Sequence, residues 1–138
     1  MGARGFKGKM VIFTAPSGAG KTTIVRHLLN RYKNQLGFST SATTRDKRDH
    51  EVDGRDYYFL SAEKFRQKIS DGAFAEYEEV YRDQFYGTLK SEIERIWSLG
   101  KHIIFDIEVK GATNIKSMYG DECLAVFIKP PSFSILVE

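Results

Sequence analysis

Apolar positions along this chain fall into two kinds of pattern. Met10–Phe13, His102–Ile107 and Leu124–Ile128 are short, nearly continuous apolar runs, the mark of buried strands. Between them, Ile24, Val25, Leu28, Leu29 and Tyr32 recur at helical spacing, as do Leu89, Ile93, Ile96 and Trp97, and Ile115, Met118 and Tyr119. The first stripe predicts a helix opening at Lys21, with Gly37 ending the run. The second predicts a helix capped by Thr88 and stopped by Gly100, and the third a helix over 111–119 closed by Gly120. Phe38–Thr44, rich in hydroxyl and β-branched residues, reads as a strand or extended segment. Tyr57–Leu60 reads as a short aromatic strand, and Phe74–Val80 alternates imperfectly as another. Ser61 is placed to cap a helix with Phe65 and Ile69 on one face, closed by Gly72. Pro130-Pro131 breaks the pattern, and Ser132 is placed to cap one more helix, scarcely begun at Glu138. With Phe133, Ile135, Leu136 and Val137 apolar on about one and a half turns, that stub is marginal alone.

Strand and helix alternate at both ends, which predicts an α/β fold with a parallel sheet and helical crossovers. The middle, about 40–87, breaks the rhythm with short aromatic segments and reads as a small subdomain inserted into a single domain. Composition changes this picture little. With 41% hydrophobic and 28% charged residues over 138 positions, the chain has the make-up of a soluble globular protein. A net charge of +3 suits phosphorylated ligands and does not argue for nucleic acid. The single cysteine, Cys123, excludes an internal disulfide and reads as small core filler at the start of a strand. A reducing compartment, the cytoplasm, is the expectation. The apolar run after the basic start is too short for a signal peptide or a membrane span, and Phe6 stands where a myristoylation signal needs Ser or Thr.

The chemistry concentrates between the first strand and the first helix, in Ala15-Pro16-Ser17-Gly18-Ala19-Gly20-Lys21-Thr22-Thr23. A small-residue loop between a strand and a helix N-terminus is the setting of a phosphate-binding loop. Loop and helix N–H groups converge there on one anion. Lys21 is placed to reach the β- and γ-phosphates of a nucleoside triphosphate, and the Thr22 hydroxyl to ligate Mg²⁺. The pattern Gly-x4-Gly-Lys-[Ser/Thr] is met except that Ala15 replaces the first glycine.

Three further groups carry candidate chemistry. Asp106 ends an apolar strand, where an open α/β sheet binds ligands and where a carboxylate holds the Mg²⁺ water shell; an ordinary strand end is the alternative. Glu108 lies two residues on. Arg45 and Arg48, beside Ser41, Thr43 and Thr44, suit a bidentate phosphate clamp, with Tyr57 and Tyr86 adding phenolic donors; a solvated charged loop is the alternative. Glu76 lies in Phe74-Ala75-Glu76-Tyr77. Ionised glutamate only accepts hydrogen bonds, so if buried it matches the adjacent N1–H and N2–H₂ donors of guanine and rejects adenine; an exposed strand residue is the alternative, expected for Glu78 and Glu79.

The segments 15–23, Phe38–Arg45, Glu51–Phe59, Phe85-Tyr86-Gly87-Thr88 and Phe105–Gly111 together resemble guanylate kinase, in order from Met10 to Glu138. The resemblance implies the reaction ATP + GMP to ADP + GDP with Mg²⁺, on a P-loop type parallel sheet flanked by helices. It implies that Ser41, Glu76 and Thr88, with Gly87 beside them, hold the guanine base, and that Arg45, Arg48, Tyr57 and Tyr86 hold the GMP phosphate. Asp106 and Glu108 fall on the family's acidic pair. Glu108 is one methylene longer than the Asp of many members, its role a guanine contact or a contact to Mg²⁺-bound water. The family pattern continues past Glu138 with an arginine-bearing lid and last elements that are absent here. A weakly active kinase, with self-association through an uncovered edge or face, is therefore expected. The alternative is a non-catalytic guanylate-kinase-like binding module, which has no need of Lys21, Thr22 or the loop glycines.

Overall fold

A computed structural model describes residues 8–14 and 21–128. The elements are β1 (Met10–Thr14), α1 (Lys21–Arg31), β2 (Leu36–Phe38), β3 (Ala42–Thr43), β4 (Tyr58–Phe59), α2 (Ala62–Ser70), β5 (Phe74–Tyr81), β6 (Gln84–Leu89), α3 (Lys90–Ser98), β7 (His102–Asp106), α4 (Val109–Tyr119) and β8 (Cys123–Phe127). Loop residues 15–20, which carry most of the phosphate-binding motif, and the helix expected after Pro131 lie outside the described residues. No described helix is long and apolar enough to cross a membrane.

The four apolar strands form one parallel sheet in the order β2-β7-β1-β8. Successive side chains of a strand point to opposite faces, and the sequence is apolar on both. Met10, Ile12, Ile103 and Phe105 pack with Ile93 and Ile96 of α3 and Ala112 and Ile115 of α4. Phe13 and Ile104, on the other face, pack with Val25, Leu28 and Leu29 of α1. Sandwiching between helices is the requirement of a parallel sheet and explains why these runs are continuous. Cys123 starts β8 and is buried, as its apolar setting predicts.

A second sheet, in the order β4-β3-β6-β5, occupies residues 42–89. Its β5–β6 pair is an antiparallel hairpin, turned by Arg82-Asp83 with Asp83 at φ 62°. Helix α2 covers this sheet: Phe65 is fully buried and its ring stacks at 4.3 Å on Phe74 and 4.8 Å on Phe85. Ser61 caps α2 as expected, its hydroxyl accepting from the Lys64 N–H at 3.1 Å.

Three expectations are corrected. Phe38–Thr44 is not one strand: it ends β2, crosses from one sheet to the other through Ser39–Ser41, and begins β3. Gly37 does not end the α1 run but lies within β2, where a Cβ would come within 2.7 Å of Ile96 Cγ2. Thr88 does not cap α3. It belongs to β6; Leu89 stands at the N-cap without a side-chain bond, and the Thr88 hydroxyl is used elsewhere.

Candidate active site

The pairing of β1 with β7 sets the first half of the site. Phe13 and Asp106 are register partners, so both side chains lie on the sheet face that α1 covers. Lys21 opens α1, and its Nζ meets Asp106 Oδ1 at 2.7 Å, each side chain about a fifth exposed (21% and 23%). Thr22 and Thr23 follow on the exposed first turn. The pair therefore stands at the carboxyl edge of the sheet, the ligand edge of open α/β folds. The motif residues Ala15, Pro16, Ser17, Gly18, Ala19 and Gly20 fall outside the described residues.

Between this edge and the second sheet lies a cleft of about 220 Å³. Lys21, Asp106, Ile107, Glu108 and Gly111 line one wall; Ser41, Tyr57, Glu76, Glu78, Tyr86 and Gly87 line the other. Glu76 is 9% exposed and faces Thr88 across the β5–β6 ladder, where the buried Thr88 hydroxyl donates to Glu76 Oε2 at 3.1 Å. Burial pushes the Glu76 carboxyl above the usual carboxylate range, against the hydrogen bonds of Thr88 and Asn114. Gly111 leaves room for it: a Cβ there would stand 3.2 Å from Glu76 Oε1. Glu79 is exposed as expected, whereas Glu78 is only partly so and joins the cleft wall.

Arg45, Tyr57 and Tyr86 come together beside this cleft. The Arg45 guanidinium lies 5.1 Å from the Tyr57 ring centroid, and the Tyr57 and Tyr86 rings meet edge-on at 6.0 Å. Arg45 is also forked onto Glu51, Nη1 to Oε1 at 3.0 Å and Nη2 to Oε2 at 2.8 Å. Glu51 accepts the Arg48 backbone N–H as well, at 2.9 Å. These two donors pull its carboxyl down to about 2, and the fork raises the already high Arg45 value. Arg48 itself is exposed and lines no part of the cleft. A second hollow of about 330 Å³ shares Ser41, Tyr57 and Asp106 with the first and adds Thr22, Arg26, Arg55 and Asp56. Sequence reasoning passed over Glu51 and Asn114. Glu51 had one signal, an acid six residues beyond Arg45 in a basic loop, and Asn114 had none outside the fold.

Ser41, Glu76, Thr88, Tyr57, Tyr86, Asp106 and Lys21 thus converge from two sheets. A site with one cation at a parallel-sheet edge and one buried carboxylate opposite suits a ligand with a phosphate end and a donor-bearing flat end.

The family model described as guanylate kinase matches residues 7–138. A guanylate kinase of Porphyromonas gingivalis is 55% identical over 128 residues, covering 93% of this chain and 68% of the relative. One from Bacteroides fragilis is 50% identical over 123 residues, covering 89% of this chain and 60% of the relative. The crystal structure of guanylate kinase from Anaplasma phagocytophilum superposes with a TM-score of 0.74 at 30% identity, covering 96% of this chain and 66% of that one. The chain therefore spans about three fifths to two thirds of the length of these relatives.

Proposed function

This chain belongs to the guanylate kinase family, and we propose that it transfers the γ-phosphoryl group of ATP to GMP, releasing ADP and GDP. The observation that carries this reading is Glu76: a buried acceptor-only side chain in the same cleft as the Lys21–Asp106 pair. Two adjacent donors of guanine satisfy a carboxylate, whereas adenine would oppose it with the acceptor N1. Thr88 holds the carboxylate in place, and Ser41 and Gly87 complete that end of the cleft. The GMP phosphate falls to Arg45, Tyr57 and Tyr86, with Arg48 adding positive charge from its exposed place on the loop. The second sheet, residues 42–89, is the body of the GMP-binding subdomain expected at about 40–87.

Lys21 and the loop 15–20 receive the triphosphate. In the transfer, a GMP phosphate oxygen forms a bond to the γ-phosphorus as the bond to the ADP oxygen breaks. The enzyme's share is positioning and neutralising charge. Lys21 is drawn toward the reacting edge by Asp106 and supplies positive charge there. The donor set at this edge, the Asp106 carboxylate and Thr22 hydroxyl, suits Mg²⁺, which takes one or two protein oxygens with the rest from water and phosphate. Mg²⁺ bound there would draw charge off the phosphate oxygens. Among the described residues, Lys21 is the one cation lining the cleft.

The test is calorimetric titration with GMP and AMP, beside a coupled assay of ADP formation. GMP is expected to bind tighter by roughly 10⁴ or more, as in sites whose polar groups go unpaired with the wrong ligand. Equal affinity would remove Glu76 from its role; GMP binding without ADP formation would favour the binding-module reading.

A further inference from the structure

Glu92 is the most deeply buried carboxylate among the described residues, 2% exposed, and it lines neither hollow at the site. It sits in the first turn of α3, where a negative charge is favoured by the helix dipole. Its bonds leave the helix. Oε2 accepts the Thr40 backbone N–H at 2.8 Å, and Oε1 accepts the Tyr58 hydroxyl at 2.7 Å. Arg95, one turn on, closes the carboxylate with Nε at 3.1 Å and Nη2 at 2.9 Å.

The two distant partners flank the cleft. Thr40 lies in the crossing segment between the two sheets and precedes Ser41; Tyr58 follows Tyr57. The Tyr58 backbone N–H also donates to the Ser41 carbonyl at 2.9 Å. Ser41 is thus gripped on both sides: its preceding amide by Glu92, its own carbonyl by Tyr58, whose ring end returns to Glu92. Ser41 and Tyr57 are the two residues of this bracket that line the cleft. A buried carboxylate needs its donors, so Glu92 fixes the spacing between α3, the crossing segment and β4.

We infer that Glu92 is a positioning residue for the nucleoside monophosphate, holding Ser41 and Tyr57 in register through Thr40 and Tyr58. This rests on the proposed GMP site but concerns a residue that touches no substrate. Its long-range hydrogen bonds go to Thr40 and Tyr58 on the acceptor side, whereas the Lys21–Asp106 pair is carried by α1 and β7.

The test is Glu92→Gln, which keeps shape and volume but turns one acceptor into a donor facing donors. GMP affinity is expected to fall about tenfold, the size of one displaced charge-assisted hydrogen bond. ATP affinity should stay within about twofold, and amide exchange at Thr40 and Tyr58, whose N–H groups close the bracket, should quicken. Tyr58→Phe, which leaves Glu92 held by Thr40 and Arg95, should shift GMP affinity the same way by a smaller factor. Unchanged GMP affinity and exchange in folded Glu92→Gln would overturn the inference. So would an equal loss for both nucleotides, the mark of general loosening. If Glu92→Gln does not fold, unchanged GMP affinity in Tyr58→Phe overturns it. Should the unaltered chain, folded, fail to bind GMP, the proposed function falls, and the exchange measurement decides the bracket by itself.

Discussion

The Arg45 guanidinium is forked onto the carboxylate of Glu51, two hydrogen bonds of 3.0 and 2.8 Å, while its face lies 5.1 Å from the Tyr57 ring centroid. A long side chain that loses its freedom on folding need not lose it again on binding. Arg45→Ala should therefore weaken GMP by about 1.5–3 kcal/mol, the worth of a charge-assisted bond, and leave guanosine affinity unchanged. Arg48→Ala should weaken GMP less, since Arg48 is exposed and off the cleft wall. Calorimetry with both ligands reads the difference; an equal loss for guanosine would make either residue structural.

Glu51 should leave a signature in acid. Its folded value is about 2, against about 4.3 for an ordinary glutamate. A depressed carboxylate contributes stability above the unfolded value and loses it as pH falls through the folded one. The gap in Tm between the native chain and Glu51→Gln should thus be constant above about pH 5 and shrink toward pH 2. A gap that does not change across that range would disprove the ion pair's contribution.

Glu76 predicts pH dependence of the other sign of shift. Burial raises its value, so protonation, which puts a donor where guanine presents donors, sets in at higher pH than for an exposed glutamate. GMP affinity should fall on acidification at higher pH than Glu51 accounts for, and guanosine, which has no phosphate to protonate, should show the same fall. Glu76→Gln should bind GMP weakly and abolish that dependence. The same acid fall in Glu76→Gln would assign it to another group.

Lys21→Ala should abolish phosphoryl transfer while GMP affinity stays within about twofold. Lys21 touches Asp106 at the sheet edge, and the proposed GMP contacts lie on the second sheet. Loss of GMP binding in the folded variant would contradict that division.

Gly111→Ala places a Cβ 3.2 Å from Glu76 Oε1. The carboxylate must move by a few tenths of an ångström, and guanine recognition should weaken about tenfold with little change in ATP affinity, as a polar contact set for one geometry is lost. Paired titrations decide it; unchanged GMP affinity would show that Glu76 gives way at no cost.

The sequence alone determined what depends on near neighbours. Continuous apolar runs announced strands covered on both faces, and the stripe beginning at Ile24 announced α1. Ser61 announced its helix because a cap and its N–H donor lie three residues apart. The strand–loop–helix order put Lys21 and Asp106 at one sheet edge before any coordinate. Tertiary structure decided what depends on partners far along the chain. The strand β6 was missed because Gln84–Leu89 gains its ladder only by pairing with β5 and β3. Phe38–Thr44 reads only as a strand or extended segment because nothing local says that its two ends belong to different sheets. Glu76 is set apart from Glu78 and Glu79 in sequence by its aromatic and small neighbours, but it is Thr88 across the ladder, with Asn114 and Gly111 from α4, that makes it the buried one. Glu92 meets Thr40 across 52 positions. Pattern along the chain records which face a residue takes; the distance between two side chains is recorded only where the fold has closed it.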